Sequence, residues 1–589
     1  MTTYESDLKS FLDPFLCANT ERRIDGIIKP CENEARSTCV KCKLVQYCSK
    51  ECQNAAWPFH KAICKSRLLK NSYKPRWQIE KRIPEFMGGP PLAHFGSPQY
   101  LWGNIPAIDL LKVAENEGDE AIMQQDVSLL FAASGDLRNV VKTIISLPEK
   151  CLGSCKAVIN DRNTTVVIRN ALLLLVAFQF EPEVATPIML HLWYSAMLPP
   201  KIVEALQKGI LPCIRNVCDK IKAKLDNSIQ AKTFVHGKGS IRLVLKKSEW
   251  IALAKTLMPS KELTAPIAQT IRRKITQARV DHINRSLYRM PLGRRAGAID
   301  FREHGVLLPY GVSRKEFTVP NPTFFADQTW PMKDDADPLD GWSYVEYMKF
   351  APIAKNDAYG AFFFYLRHLL LAFCKRIRIF TISFQLLATD AVDLPNYLTD
   401  IKFDRIEVSN ICDRCYIGPH RTLSIFSPLL KPKTQNPRAA LLLLFLNAVG
   451  DEDDQNVTRA IRAHRGRLMK KYFNYMEPCL VNAALGEGGL ASMQYITTPE
   501  VVLLTDAMTY WDDFDVNFAR FLKNADPASQ KPIALKDLAA NYGLRIKDKH
   551  TIMPPWPYRA SENMTREEFD VLLAESTGGH ERYVELSRA

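Results

Sequence analysis

VSLLFAASGDLRNVVKTIISLP, Val127 to Pro148, changes its hydrophobic period partway along. Seven mostly apolar residues, Val127–Ala133, have the length and composition of a strand buried on both faces. Ser134-Gly135-Asp136 reads as a turn with a helix N-cap candidate. Leu137, Val140, Val141 and Ile144 then recur at helical spacing. KAVIN (Lys156–Asn160) follows as a second strand ending at Asp161, and Val166, Val167, Ala171 and Leu174 carry a second helix. Strand, turn, helix, strand with an acid after the second strand is the unit of a doubly wound α/β fold. There a phosphate or similar group sits at the first turn and a ribose at the acid. Gly135 and Asp161 are therefore candidate cofactor-binding residues. Asp161 also reads simply as a solvent-facing N-cap. The turn itself is poor, with one glycine where two or three would let a cofactor approach the backbone, and Ala132-Ala133-Ser134 adds side chains there.

The pattern resumes far downstream. ISFQLLATDAVDLPNYL (Ile382–Leu398) reads as a strand, an acid at Asp390 and a short helix. KFDRIEVSNI (Lys402–Ile411) is another strand, SIFSPLLK (Ser424–Lys431) a helix-like step and PRAALLLLFLNAV (Pro437–Val449) a further buried strand. This succession is similar to the later half of class I S-adenosylmethionine-dependent methyltransferases. The resemblance implies that Asp390 approaches an adenine and that Ser409-Asn410 face a substrate; Asp390 also reads as a helix cap or a surface acid. The expected fold class is α/β: a Rossmann-like, class I methyltransferase-like doubly wound domain with a large, mostly helical insertion, preceded by a small N-terminal module. The expected boundaries are a tail at 1–16, the small module at 17–64, a linker at 65–98 and the first half of the doubly wound domain at 99–178. The insertion follows at 179–375, the second half at 376–480 and a C-terminal extension at 481–589. GPPLAHFGSP (Gly89–Pro98) carries the linker composition. In the extension, IMPPWPYR (Ile552–Arg559) reads as extended and EEFDVLLAES (Glu567–Ser576) as a short amphipathic helix.

The small module is defined by thiols. Seven of the chain's 15 cysteines lie between Cys17 and Cys64. Their spacing is Cys17-x13-Cys31-x7-Cys39-x2-Cys42-x5-Cys48-x3-Cys52-x7-His60-x3-Cys64. Eight such ligands make two tetrahedral sets, the arrangement Zn²⁺ takes in closed structural sites. Cys48 with Cys52, and His60 with Cys64, have the spacing that places both ligands on one helix face. A piece this small has little core, so metal would supply much of its folding free energy. Tyr47-Cys48-Ser49-x2-Cys52-Gln53-x3-Trp57-x2-His60-x3-Cys64 resembles the second half of a MYND zinc finger. The resemblance implies two interleaved zinc sites, Cys17, Cys31, Cys48 and Cys52 at one and Cys39, Cys42, His60 and Cys64 at the other. It also implies a protein partner, with Gln53 and Trp57 lining a groove for a proline-containing peptide. Those two side chains equally read as mini-core packing and a backbone cap. The family's first pair is usually Cys-x2-Cys, so the residues between Cys17 and Cys31 must loop out. MYND fingers also occur in SET-domain methyltransferases, but the asparagine-histidine-cysteine signature of a SET core is missing from the sequence. Cys412-x2-Cys415 has no partner pair and is not read as a metal site.

From Trp102 onward the chain resembles the domain shared by the axonemal dynein assembly factor 3 group and fungal MYND proteins of unknown function. Trp102-Gly103-x2-Pro106-Ala107-x-Asp109-Leu110, Leu130-x4-Gly135-Asp136-x-Arg138 and Phe301-Arg302-Glu303-His304-Gly305-x-Leu307-Leu308-Pro309-Tyr310-Gly311 carry that likeness. It implies a methyltransferase-like body without an established activity.

Of the 589 residues, 47% are hydrophobic and 24% charged, a soluble globular composition. MTTYESDLKS has no basic-then-apolar signature, so no secretory signal is read. ALLLLVAF (Ala171–Phe178) and AALLLLFLNAV (Ala439–Val449) fall far short of the ~20 residues that span a bilayer. An intracellular protein, in cytoplasm or nucleus, without a membrane partner is expected. The net charge is +14, and residues 1–82 hold half of it, with 16 Lys and Arg against 9 Asp and Glu. Two stretches, Ala278–Ala296 and Arg459–Phe473, are basic with apolar spacing and read as solvated helix faces ahead of a polyanion surface. The sequence therefore points to a zinc-binding protein–protein interaction or assembly factor with a catalytically silent body. An S-adenosylmethionine-dependent methyltransferase with S-adenosylmethionine as cofactor is the alternative, and a nucleic-acid-associated factor stands third.

Overall fold

The structure is a computed structural model that describes residues 4–24, 27–87, 95–260, 262–325, 327–351, 353–452, 459–474, 476–484, 495–511, 515–526, 532–575 and 577–589. Nine strands form the main sheet: β1 (Val127–Phe131), β2 (Cys155–Asn160), β3 (Ile229–His236), β4 (Gly239–Lys246), β5 (Ile382–Leu387), β6 (Arg405–Glu407), β7 (Ala440–Phe445), β8 (Leu544–Ile546) and β9 (Arg582–Arg588). Their spatial order is β8-β9-β7-β6-β1-β2-β5-β4-β3. Strands β7, β6, β1, β2, β5 and β4 run parallel; β9 is antiparallel to β7 and β8, and β3 to β4. The helices that matter below are α1 (Lys50–Cys64), α2 (Arg138–Ser146), α3 (Thr164–Gln179), α4 (Pro182–Tyr194), α5 (Val280–Arg289), α6 (Leu292–His304) and α7 (Ala358–Ile379).

Both faces of the sheet are covered, which is why its central strands read as unbroken apolar runs. Along β7, Ala440, Leu442 and Leu444 enter the core on one face, while Leu441, Leu443 and Phe445 enter the core on the other. The run Ala171–Phe178 is buried in α3, within the larger core.

Two parts of the sheet lie outside the strands read from the sequence. The segment expected to be mostly helical contributes the β3–β4 hairpin to one edge. The C-terminal extension contributes β8 and β9 to the other edge. The strand read over Lys402–Ile411 is only three residues long as β6, because Val408 and Ser409 turn away at its end, Ser409 with φ +52°. Residues 65–87, expected as linker, pack onto the body: Trp77 is 1% exposed and its indole N–H donates to the Thr497 carbonyl at 2.8 Å. Residues 88–94 of that linker, Ser576 and residues 453–458 lie outside the described residues.

The five strands of the expected halves, taken in chain order, lie third-second-first-fourth-fifth as β5-β2-β1-β6-β7. Strand order reverses between β1 and β6, and in open α/β sheets the crevice at the carboxyl ends beside such a reversal is where ligands bind. Asn160 laces these ends. Its side-chain amide donates to the carbonyls of Ala132 (2.9 Å) and Thr389 (3.1 Å), and its Oδ1 accepts from the Thr389 N–H. At the opposite end, buried Asp404 accepts from the Ser128 N–H, Lys431 Nζ and Asn436 Nδ2, each at 2.7 Å, fixing β6 against β1.

Asn160→Ala leaves the Thr389 N–H and two carbonyls buried without this partner. A loss of about 1–3 kcal/mol is expected in chemical denaturation. An unchanged midpoint would show that the lacing contributes nothing.

Candidate metal centre

The finger is built from three short pieces around one helix. A hairpin pairs Ser37–Thr38 with Gln46–Tyr47. Its knuckle is closed by the Lys43 N–H on the Cys39 carbonyl (2.8 Å), with Lys43 at φ +52°. Cys17 lies beside Gln46, and the Ala18 N–H donates to the Gln46 carbonyl (2.8 Å), so the first ligand reaches the site as an added strand-like segment. The long spacer to Cys31 is taken up by a short hairpin, Arg23–Ile24 with Ile27–Ile28. Ser49 caps α1, its hydroxyl accepting from the Cys52 N–H at 3.3 Å.

The helix start corrects one expectation. Cys48 lies before the cap, so Cys48 and Cys52 do not share a helix face. Cys48 is carried by the incoming strand and Cys52 by the first turn. His60 and Cys64 do lie on one buried face of α1.

The structure brings all eight side chains into two groups: Cys17, Cys31, Cys48 and Cys52, and Cys39, Cys42, His60 and Cys64, each within 4.8 Å. The thiols are unbridged. Sulfur separations are 3.8 Å for Cys17–Cys48, 3.7 Å for Cys31–Cys48 and 3.8 Å for Cys31–Cys52. In the second group Cys39 and Cys64 are 3.7 Å apart, and Cys42 Sγ is 3.4 Å from His60 Nε2. A tetrahedron with Zn–S bonds of about 2.3 Å has edges of about 3.8 Å, and a mixed S–N edge is about 3.5 Å. The donor chemistry and spacing therefore fit two zinc ions. Burial, reinforced by the neighbouring thiols, pushes the Cys17 and Cys42 thiols up to about 12. A divalent cation among the sulfurs reverses that, since coordinated thiols are deprotonated. Asn19 Nδ2 donates to Cys52 Sγ at 3.3 Å, and the Asn356 side chain donates to the Cys42 carbonyl at 2.9 Å. Neither asparagine was legible as a support from the sequence.

Gln53 and Trp57 stand one turn apart on the outer side of α1. Trp57 is 38% exposed, with its ring edge-on to His60; Phe59, about 200° further around the helix, is 65% exposed.

The crevice at the carboxyl ends of the sheet is closed by the protein's own chain. The Gly135 N–H donates to Asp161 Oδ2 (3.0 Å), and Asp161 Oδ1 accepts from the Asn163 N–H (2.8 Å), so these two expected cofactor residues hold each other. Asp390 is exposed three residues past β5 and accepts from the Val392 N–H as a turn cap. Above the first turn lies the backbone of Gly103–Ile105. The Gly103 N–H donates to Asp136 (2.8 Å), and Arg138 pairs with Asp136 (2.7 Å) and donates to the Ile105 carbonyl (2.9 Å). A Cβ on Gly103 would stand 2.1 Å from the Arg138 guanidinium, so any larger residue there would displace the arginine head from Asp136 and Ile105. What remains open beside β6 is a 40 Å³ cavity bounded by Asn104, Glu407, Ser409, Asn410 and Tyr583. Buried Glu407 accepts from the Ser409 N–H (2.7 Å), and its other oxygen has no partner. Burial pushes its carboxyl up to about 7, against the Ser409 N–H and the Arg138 cation. A glutamate between Ile406 and Val408 in a buried strand was the signal available for it in the sequence.

The stretch Ala278–Ala296 is not an open cationic face. Arg294 and Arg295 in α6 are 4% and 8% exposed, correcting the expectation of a solvated face. Arg279 is paired with Asp334 (2.6 Å) and Arg285 with Asp506. Side chains of residues 459–463 lie outside the described residues.

Residues 29–64 match the MYND finger family, and residues 101–198 match a domain of unknown function (DUF4470). Cys17 precedes the MYND match. The chain is 61% identical over 28 residues to "SET domain and MYND-type zinc finger protein 6" of Schizosaccharomyces pombe, a match covering 5% of this chain and 6% of that relative. No solved structure matches. The N-terminal module is thus a MYND-type zinc finger, and no helix among the described residues is long and apolar enough to cross a membrane.

Metal analysis of the purified protein should return two zinc ions per chain and one in His60→Ala or Cys17→Ser. A single zinc in the intact protein would contradict the pairing of Cys17 with Cys31, Cys48 and Cys52. Glu407 supplies a pH test. Folded Glu407 keeps its proton between about pH 4.3 and 7, where the unfolded chain has lost it, so stability falls as pH rises through that window. Glu407→Gln should therefore gain about 2–3 kcal/mol on the wild type between pH 5 and 8. A difference independent of pH would show that Glu407 is ionised throughout.

Proposed function

We propose that the protein is a zinc-dependent protein–protein interaction or assembly factor. Its MYND finger docks a proline-containing peptide across Gln53 and Trp57, and its methyltransferase-like, Rossmann-like body is catalytically silent. The observation that carries the docking surface is the exposed indole of Trp57 one turn from Gln53 on α1, held outward because His60 and Cys64 point inward to the metal group. An exposed indole beside a glutamine offers a flat apolar face and an amide, the chemistry that recognises an extended proline-rich segment.

The third-second-first-fourth-fifth order of β5-β2-β1-β6-β7 supports a Rossmann-like body. An antiparallel β9 beside β7 is compatible with the methyltransferase-like variety. The filling of the first turn by Gly103, Ile105 and Arg138 supports the silent reading. A nucleoside cofactor needs backbone approach at that turn, and a 40 Å³ cavity holds only a few waters. The likeness of residues beyond Trp102 to the dynein assembly factor group fits an assembly role.

The alternative is an S-adenosylmethionine-dependent methyltransferase in which Gly135, Asp161 and Asp390 hold the cofactor and the finger recruits substrate. Gly135, Asp161 and Asn160 do gather at the strand ends that such a cofactor would use. A nucleic-acid role draws less support, because α5 and α6 spend their arginines on internal partners.

Calorimetric titration of proline-rich peptides into the zinc-loaded chain tests the first reading. Trp57→Ala should weaken binding at least about tenfold with both zincs retained. Equal affinity of that variant would contradict the proposed groove. Saturable S-adenosylmethionine binding, lost in Asp161→Ala, would instead favour the enzyme.

A further inference from the structure

A second cavity, of 170 Å³, lies across Gly103–Asn104 from the switch-point crevice. It is formed where residues 96–99 run beside 332–333, through the bridges Gly96–Lys333 and Gln99–Met332. Gln99, Tyr100, Trp102, Asn104, Lys333 and Asp335 face it.

Two features of this cavity are unbalanced in the protein alone. Lys333 is 6% exposed, yet its ammonium has only a phenol for company: it donates to the Tyr100 hydroxyl and lies 4.2 Å from the centre of that ring. Among the described residues no carboxylate is within ion-pair distance, and the neighbouring residues 88–94 contain no acid. The adjacent acids are already committed. Asp334 pairs with Arg279 at 2.6 Å, and Asp337 and Asp340 share Arg294 at 3.5 and 3.3 Å. A buried ammonium with three donors and no anion is costly. Second, the Gln99 side-chain oxygen is buried without a hydrogen-bond donor. Asp335 stands exposed at the rim, within electrostatic reach of Arg279 and without an ion pair among the described residues.

We propose that this cavity binds a small zwitterion, with its carboxylate on Lys333 and its amino group on Gln99 Oε1 and Asp335. The ligand supplies the anion that Lys333 lacks and the donor that Gln99 lacks, and Asp335 selects against a simple carboxylate. Size limits the class. An apolar cavity of about 150 Å³ accommodates benzene, so about six to eight non-hydrogen atoms fit, the range of a short amino acid. Tyr100 and Trp102 wall the site with rings against which a two- or three-carbon spacer packs. The inference does not depend on whether the body is silent or catalytic, since the switch-point crevice lies on the other side of Gly103–Asn104.

The test is calorimetric titration of the full zinc-loaded chain with β-alanine, γ-aminobutyrate, acetate and n-butylamine. One of the two zwitterions should bind saturably. Acetate and butylamine should bind at least about tenfold more weakly. Lys333→Met should abolish zwitterion binding. Asp335→Asn, at an exposed position where folding is not at stake, should weaken it at least about fivefold while acetate binds no more weakly than to the wild type. No saturable heat with either zwitterion at about 50 mM would overturn the proposal. So would acetate binding as tightly as the zwitterions, or an affinity indifferent to Asp335→Asn.

Discussion

Seven sulfurs and one imidazole nitrogen stand in two sets whose sulfur separations of 3.7–3.8 Å match the edges of zinc tetrahedra, and that constraint organises the N-terminal part of the protein. Thiols buried without metal stay protonated and give no cohesion. Around zinc they tie together pieces of chain as distant as Cys17 and Cys52. The second group does more than close the finger. Its knuckle presents the Cys42 and Lys43 carbonyls to Asn356, which donates to both, and the next residue, Asp357, caps α7. Gly311, at φ +83°, lies so close that a Cβ would stand 3.1 Å from Ala18. The finger is therefore seated on the body through the knuckle that the metal fixes, leaving the outer side of α1 for other contacts.

In the body the governing constraint is polar. The sheet is apolar on both faces, so its register and ends depend on a few buried side chains that can satisfy backbone groups. Asn160 and Asp404 do this at opposite ends. The same economy closes the crevice: Asp136 and Arg138 are used up in holding residues 103–105 over the first turn, and Asp161 in holding Gly135 and Asn163. A site that in an open α/β sheet would face a ligand here faces the protein's own backbone.

Much of this was legible in the sequence. Eight ligands predicted two sets, the resemblance to a MYND finger implied which residues share each, and the structure assembles those groups. The strands at Val127, Lys156, Ile382 and Pro437 were readable because parallel strands buried on both faces leave uninterrupted apolar runs. What escaped was edge structure. GSIRLVLK, which carries the edge strand β3 beside it, alternates apolar and polar residues instead of running apolar throughout, and RYVELSR at the C-terminus is too short and too polar to announce that it pairs with β7. Arg294, Arg295 and Lys333 could not be placed because charge in a sequence says nothing of burial. Their partners are carbonyls, acids and a phenol brought in from far along the chain. Cys48 was misplaced onto the helix because i, i+4 spacing does not reveal where Ser49 starts it.

Zinc K-edge X-ray absorption on the purified protein measures the shell directly. Two closed sites, one of four sulfurs and one of three sulfurs and a nitrogen, predict an average of about 3.5 sulfurs at about 2.3 Å and 0.5 nitrogen per zinc, with no water. A shell with three sulfurs or fewer, or with an oxygen ligand, would contradict the paired closed sites on which the seating of the finger rests.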